Sequence, residues 1–419
     1  MQKFLSLPFR HIAAFILLLS TAGCLKDKST YTYQIVTPVY KTLTEVRADM
    51  KSGPVEELRT PGKIYVYGKY LFVNEINRGI HIIDNSSPSA PKKISFIKIP
   101  GNVDLAVKGN ILYADTYRDL VAMDISDPKN VTAKKFLSNV FPYQGGYIMN
   151  TSGNPDSTLV LVDYTVKDTT VDANYRGRYY FDCPNCMYAN AAQATASAGQ
   201  GKAGSMSRFA LVNDNLFTVS QTDLTVINTS TAADPTVVVT KKISNWGIET
   251  IFPLKDKLFI GSNSAMYIYD ITNPSSPTQL SQFTHFRSCD PVVAEGNYAY
   301  VTLRDGNSCG TKINELQVVD ITNLNAPALK KTYAQQNPRG LSKDGNTLII
   351  CDGPAGVKFF DATDVSNIVL RSTITGIDPN DVITIGPIAI VTANDGLYQF
   401  DFSDIGSVKQ ISRLSITRN

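Results

Sequence analysis

The chain has one Trp, three His and six Cys in 419 residues, and each scarcity narrows the chemistry. The three His (His11, His81, His285) do not recur at any repeated position, so a ring of histidine metal ligands is not built into the pattern. There is no second Cys-x-x-Cys to complete a structural zinc site with "CPNC" (183–186). Met187, not His, follows that motif, which excludes haem attachment there. Charged residues are only 18% of the chain and the net charge is +3, with no dense Lys/Arg stripe. Nucleic acid is therefore not an expected partner. No nucleophile elbow and no zinc helix is present, so no catalytic residue and no cofactor is assigned.

Tyr (21) and Phe (18) are plentiful, and hydrophobic content is 43%. With Val, Ile and Thr, these residues favour half-buried strands and supply a large core. The only long apolar run is N-terminal. Lys3 and Arg10 precede "IAAFILLLS" (12–20), too short to span a bilayer as a mature helix, and "TAGC" (21–24) follows. This resembles the signal and lipobox of bacterial lipoproteins, with Thr21 where Leu is commoner. The resemblance implies a signal peptide over 1–23, cleavage before Cys24, lipidation of Cys24 and attachment to the membrane through that anchor. Residues 24–61 read as the lipidated Cys and a tether whose later part adds a strand to the body. Residues 31–47 are a candidate for pairing with an edge. Leu25 lacks the Asp that holds some lipoproteins at the inner membrane. An outer-membrane lipoprotein, periplasmic or surface-exposed, is expected.

The body is repetitive. "IHIIDNSSPSAP" (80–91), "LVAMDISDPKNV" (120–131), "MYIYDITNPSSP" (266–277) and "LQVVDITNLNAP" (316–327) share a strand that ends in Asp before a turn. Two anchors align seven copies. Phe72, Tyr113, Phe217, Phe259, Tyr300, Ile349 and Ile390 mark a second strand; Asp84, Asp124, Asn228, Asp270, Asp320, Asp361 and Asp401 end a third. Most copies recur at about 40 residues, the spacing of propeller blades. Each copy reads as a four-strand antiparallel meander, and radial packing buries faces that one sheet cannot bury alone. The expected fold is all-β: a β-propeller of four-stranded blades over 62–419, most simply seven-bladed, with six and eight as the neighbouring counts. A parallel β-helix is the rival fold, but its coils are usually shorter. The anchoring Asp has a structural reading, accepting backbone N–H groups in an Asx-type turn.

"LVAMDIS", "LQVVDIT" and "MYIYDIT" resemble the LVIVD repeat of bacterial and archaeal surface proteins, in an arrangement similar to repeat lipoproteins of Bacteroidota. The resemblance implies a propeller at the cell envelope and carries no established reaction.

In such a meander the loops joining strands two and three share one face with the connectors between blades. Two departures from the repeat fall on this connector face: an insertion around 141–207 and the enlarged loop 304–315. Within the insertion, 157–166 reads as a strand. Tyr175, Arg178, Tyr179, Tyr180 and Tyr188 are candidate binding residues there. A charged residue stands near the start of each first strand: Lys63, Asp104, Arg208, Glu249, Asp290, Arg339 and Asp381. These are the candidates for a binding ring at the channel mouth. Disulfides are expected as Cys289–Cys309 and as a local Cys183–Cys186 bridge, with Cys351 a free core thiol. The expected function is an envelope-anchored binding or scaffold module for a protein or glycan. The alternative is an envelope hydrolase or lyase that uses the channel-mouth carboxylates.

Overall fold

The computed structural model describes residues 30–141, 148–149, 154, 156–172, 202–285, 291–305 and 313–417. Cys24, Cys183, Cys186, Cys289, Cys309, Asp290, Tyr175, Arg178, Tyr179, Tyr180 and Tyr188 lie outside them. The chain divides into two compact units, 1–39 with 163–186, and 40–162 with 187–419. In the first, residues 30–39 run beside 163–172, parts of the strands Thr30–Thr42 and Leu159–Asp172. Thr32 and Thr170 meet there through their hydroxyls at 2.9 Å.

The second unit holds seven four-stranded antiparallel sheets in strict meander order. Their first strands are Pro61–Tyr67, Leu105–Lys108, Phe209–Val212, Ile248–Leu254, Val292–Glu295, Leu341–Asp344 and Pro379–Ile385. Each of these strands touches the first strand of the next sheet, and the seventh touches the first, so they form the inner ring of a closed propeller. All seven aromatic or aliphatic anchors of the second strands are at most 2% exposed. Each such side chain contributes about 1.5–3 kcal/mol by leaving water.

The repeated Asp does what the local chemistry predicts. In all seven blades Oδ1 of Asp84, Asp124, Asn228, Asp270, Asp320, Asp361 or Asp401 accepts the N–H two residues on, at 2.8–3.1 Å. One repeated feature has no sequence signature. Every fourth strand carries a β-bulge opposite the residues just before the anchor, as between Ile82 and Ile83 or between Gln399 and Phe400. A bulge adds local twist, which suits the outer edge of a blade.

Closure needs no exchanged strand, because the seventh blade has its own fourth strand, Lys409–Ser415. An apolar seam of Leu58, Ile64, Leu71, Val73, Ile83, Ile383, Ile390 and Leu397 joins the seventh blade to the first. Asn85 and Gln399 exchange amide hydrogen bonds across it, at 3.0 and 2.7 Å.

The later part of the expected 24–61 tether belongs to the body. Thr42 and Glu45 form a capping box that starts the short helix Leu43–Asp49. Val46 and Met50 then enter the core beneath it. Ser52 and Gly53 pair with Ile97 and Phe96 on the outer strand of blade 1, and Lys51 bridges to Thr132 on blade 2. The added strand is therefore Ser52–Gly53. Within the 31–47 candidate, residues 31–39 run beside 163–172 instead.

Candidate functional site

The end of the insertion returns along the propeller axis. Lys202–Ala203 pairs with Val66 and Tyr65 on the inner side of blade 1's first strand. From there residues 204–208 reach four further blades. Gly204 N–H donates to Ile64 O at 2.8 Å on blade 1. Ser205 donates from its N–H (3.0 Å) and Oγ (2.7 Å) to Asp381 Oδ1 on blade 7, while its Oγ accepts from Leu341 N–H at 2.6 Å on blade 6. Ser207 Oγ donates to Asp104 on blade 2 at 3.1 Å, and Ser207 O accepts Ile251 N–H at 3.0 Å on blade 4. Arg208 N–H also donates to Asp104. The segment is an axial strap tying five of the seven blades.

The sequence supports this close approach with glycine. A Cβ on Gly204 or on Gly340 would collide with the Asp381 carboxylate. Asp381 is thus clasped between the strap and blade 6.

The strap changes the character of the charged ring. Lys63, Asp104 and Asp381 are buried beside it rather than lining an open mouth. Lys63 Nζ sits 4.0 Å from Asp104 Oδ2, and among the described residues neither it nor Asp381 Oδ2 has a hydrogen-bond partner. Burial pushes the Lys63 ammonium down to about 7 and the Asp381 carboxyl up to about 7. Asp104 is also raised by burial, against the pull of Lys63. Arg208 is half-buried at the strap's end.

Glu249 and Arg339 belong to a different neighbourhood. Arg339 bonds to Asn380 Oδ1 at 2.6 Å and pairs with Asp378 at 3.0 Å. The Arg304 guanidinium is lowered by burial and by Arg339, with Glu249 and Asp378 opposing. Of the proposed ring, then, Lys63, Asp104, Arg208 and Asp381 are brought together around the strap. Glu249 and Arg339 share the Arg304 neighbourhood.

Three further buried carboxylates went unread in the sequence: Glu75, Asp115 and Asp352. They occupy one repeat position, within one residue of the end of the second strand. Each accepts backbone N–H groups of the connector that enters its own blade. Glu75 takes Arg59 and Thr60, Asp115 takes Val103 and Asp104, and Asp352 takes Gln336 and Asn337. A basic side chain follows on the third strand in two of them: His81 lies 2.8 Å from Glu75, and Lys358 pairs with Asp352. Burial pushes Glu75 upward, but His81 and the backbone donors outweigh it and hold the carboxyl below its usual value. Asp115 has no such basic partner on its third strand, and burial raises it to about 7. A signal was available, since an acidic residue stands nine positions before Asp84, Asp124 and Asp361. Among the described residues no three His, Cys, Asp or Glu side chains are placed to hold a metal ion.

The fold defines a seven-bladed β-propeller with an internally strapped axis. Four stretches match the family model of the LVIVD repeat, residues 60–96, 101–136, 258–284 and 287–335. Blades 3, 6 and 7 lie outside those matches but carry the same anchors and turns. A comparison with curated proteins finds no match. Among solved structures, a protein from Lactobacillus plantarum superposes with TM-score 0.56 at 12% identity, covering 85% of this chain and 97% of that one. The computationally designed Ika8 protein gives 0.53 at 10% identity, with 87% and 91% covered. The periplasmic gluconolactonase of Pseudomonas aeruginosa gives 0.51 at 13% identity, with 84% and 96% covered. At these identities the likeness is one of fold.

Proposed function

We propose that the chain is an envelope-anchored lipoprotein, held by lipid at Cys24 in the outer membrane. Its propeller acts as a non-enzymatic binding or scaffold module for a protein or glycan. The axial strap carries the choice of binding over catalysis. A hydrolytic use of the channel would need Asp104 or Asp381 to face a substrate. Instead Asp104 accepts from Ser207, Arg208 and Leu105, and Asp381 Oδ1 accepts from Ser205 and Val382. Both carboxylates are buried, and Asp104 and the Oδ1 of Asp381 are committed to the strap and to the strands that follow them. That points to assembly, and leaves recognition to the connector face, where the insertion and the 304–315 loop depart from the repeat.

The test is affinity capture with the full-length, detergent-solubilised protein. The bait is offered solubilised envelope proteins and envelope glycans. A variant in which only 173–200 is shortened runs beside it, so that the strap is kept. Saturable retention of one partner by the full chain supports the reading. Turnover of an ester, lactone or glycoside that is abolished by Asp104→Asn, with no partner retained, overturns it.

A further inference from the structure

We propose that Trp246 is the stacking platform of a carbohydrate site on the connector face. This rests on the binding-module reading and narrows its partner to a glycan. Trp246 lies in the connector between Thr236–Lys242 and Ile248–Leu254, on the face from which the chain leaves the blades for the insertion and for the 304–315 loop. It is the chain's single Trp, and it is 60% exposed. The aromatic anchors of the repeat are buried, so this ring is not part of the blade core.

The backbone beneath the ring is fixed. Ser244 Oγ donates to Trp246 O at 3.1 Å and accepts Trp246 N–H at 3.4 Å. Gly247 adopts φ +89°, and a Cβ there would strike the Asn263 side chain. Gly247 O accepts Asn263 N–H at 2.8 Å, and Ile248 N–H donates to Gln221 O at 3.1 Å. An aromatic ring held out on an ordered loop loses little further freedom on binding.

The surroundings select a sugar. The loop residues Ser244 and Asn245 and its two backbone partners, Gln221 and Asn263, are polar, while Ile243 and Ile248, which flank the loop, pack into the core. Val237 and Val238, the exposed apolar residues closest in sequence, belong to the outer strand of blade 3 rather than the connector. A protein hot spot would want an apolar core around its aromatic. A pyranose needs one flat apolar face for its C–H groups and polar partners for its hydroxyls. Indole, with an apolar body and an N–H, offers the first, and the amides offer the second.

Because Trp246 is the only indole, emission of the full-length protein excited at the red edge of the indole band, beyond absorption by its 21 Tyr, reads this ring alone. The probes are chitotetraose, maltoheptaose and the soluble oligosaccharide released from envelope polysaccharide. The expected result is a saturable emission change with one of them. By calorimetry Trp246→Ala should weaken its binding at least about tenfold and Trp246→Tyr should retain most of it. The melting temperature of both variants should match the parent, since the ring is exposed. An emission that none of the sugars moves overturns the proposal. So does a sugar held equally by Trp246→Ala, in which case the binding-module reading survives without this platform. An emission change produced by an envelope protein and by no sugar also overturns it, and leaves a protein surface in its place.

Discussion

Ser205 and Asp381 stand 176 positions apart in sequence and share two hydrogen bonds to one carboxylate oxygen in the buried centre of the ring. That contact makes the insertion a structural member of the propeller. Asp381→Ala removes the acceptor for Ser205 and for Val382, and leaves buried donors unpaired. The expected cost is about 2–4 kcal/mol, from two or more lost buried bonds. Urea unfolding measures it. Hydrogen exchange should show the amides of 204–208 opening well before the blade strands. Equal protection of strap and blades in the variant would mean that the strap is held by something other than Asp381.

The same residue shapes the pH response. Burial raises Asp381 to about 7, so between its ordinary value and 7 the folded chain holds a proton the unfolded chain has released. Stability therefore falls as pH rises through that window. Asp104 and Asp115, also raised by burial, act in the same direction. Lys63 is lowered to about 7, so above that pH its contribution makes stability rise again. The turn carboxylates work oppositely. Asp124, Asp270 and Asp361 are held at about 2, by Ser126, by the Thr272 backbone and by Arg371 foremost; their stabilisation is lost only as pH falls toward 2. Urea midpoints from pH 3 to 9 should show Asp381→Asn with a shallower decline between pH 4 and 7 and an unchanged acid limb. An unchanged decline would remove Asp381 from this account.

The turns make their own prediction. Asn228 does in blade 3 what Asp does elsewhere, so the amide oxygen suffices for the turn. Asp124→Asn should therefore be nearly neutral, losing only the exposed pairing with Lys134 at 3.1 Å. Asp124→Ala should cost about 1 kcal/mol, the usual net worth of such a bond. Equal costs in chemical denaturation would mean that charge, not the turn bond, is what the position supplies.

These cases show why the blades were legible and the strap was not. The anchor of a turn such as Asp270 bonds two residues away, to Thr272, so its chemistry is written in a short local phrase that recurs. The buried second-strand anchors recur for the same reason. The strap, "KAGSMSR" (202–208), is a short run of mostly small residues whose meaning lies in Ile64, Asp104, Ile251, Leu341 and Asp381, on five different blades. The sequence singled out Lys63, Asp104, Arg208 and Asp381 as charges at one repeated position. It could not show that a distant segment would bury them. The bulges escape too, since the extra residue is Ile94 in one blade and Lys134 in the next.

Cys351 offers a direct check on the inner strands. It ends the strand Thr347–Cys351, is fully buried and is a free thiol. Burial raises its pKa well above the ordinary thiol value, with Asp381 adding to the effect. Both access and thiolate population are therefore suppressed in the folded state. Iodoacetamide at pH 8, followed by peptide mapping, should leave Cys351 unmodified in the native protein and alkylate it fully in denaturant. The rate of native labelling should track global unfolding across a urea series, because no smaller opening exposes a residue between two blades. Rapid native labelling would show that the sixth blade opens on its own, and the strap, which bonds to Leu341 of that blade, would then be its first point of release.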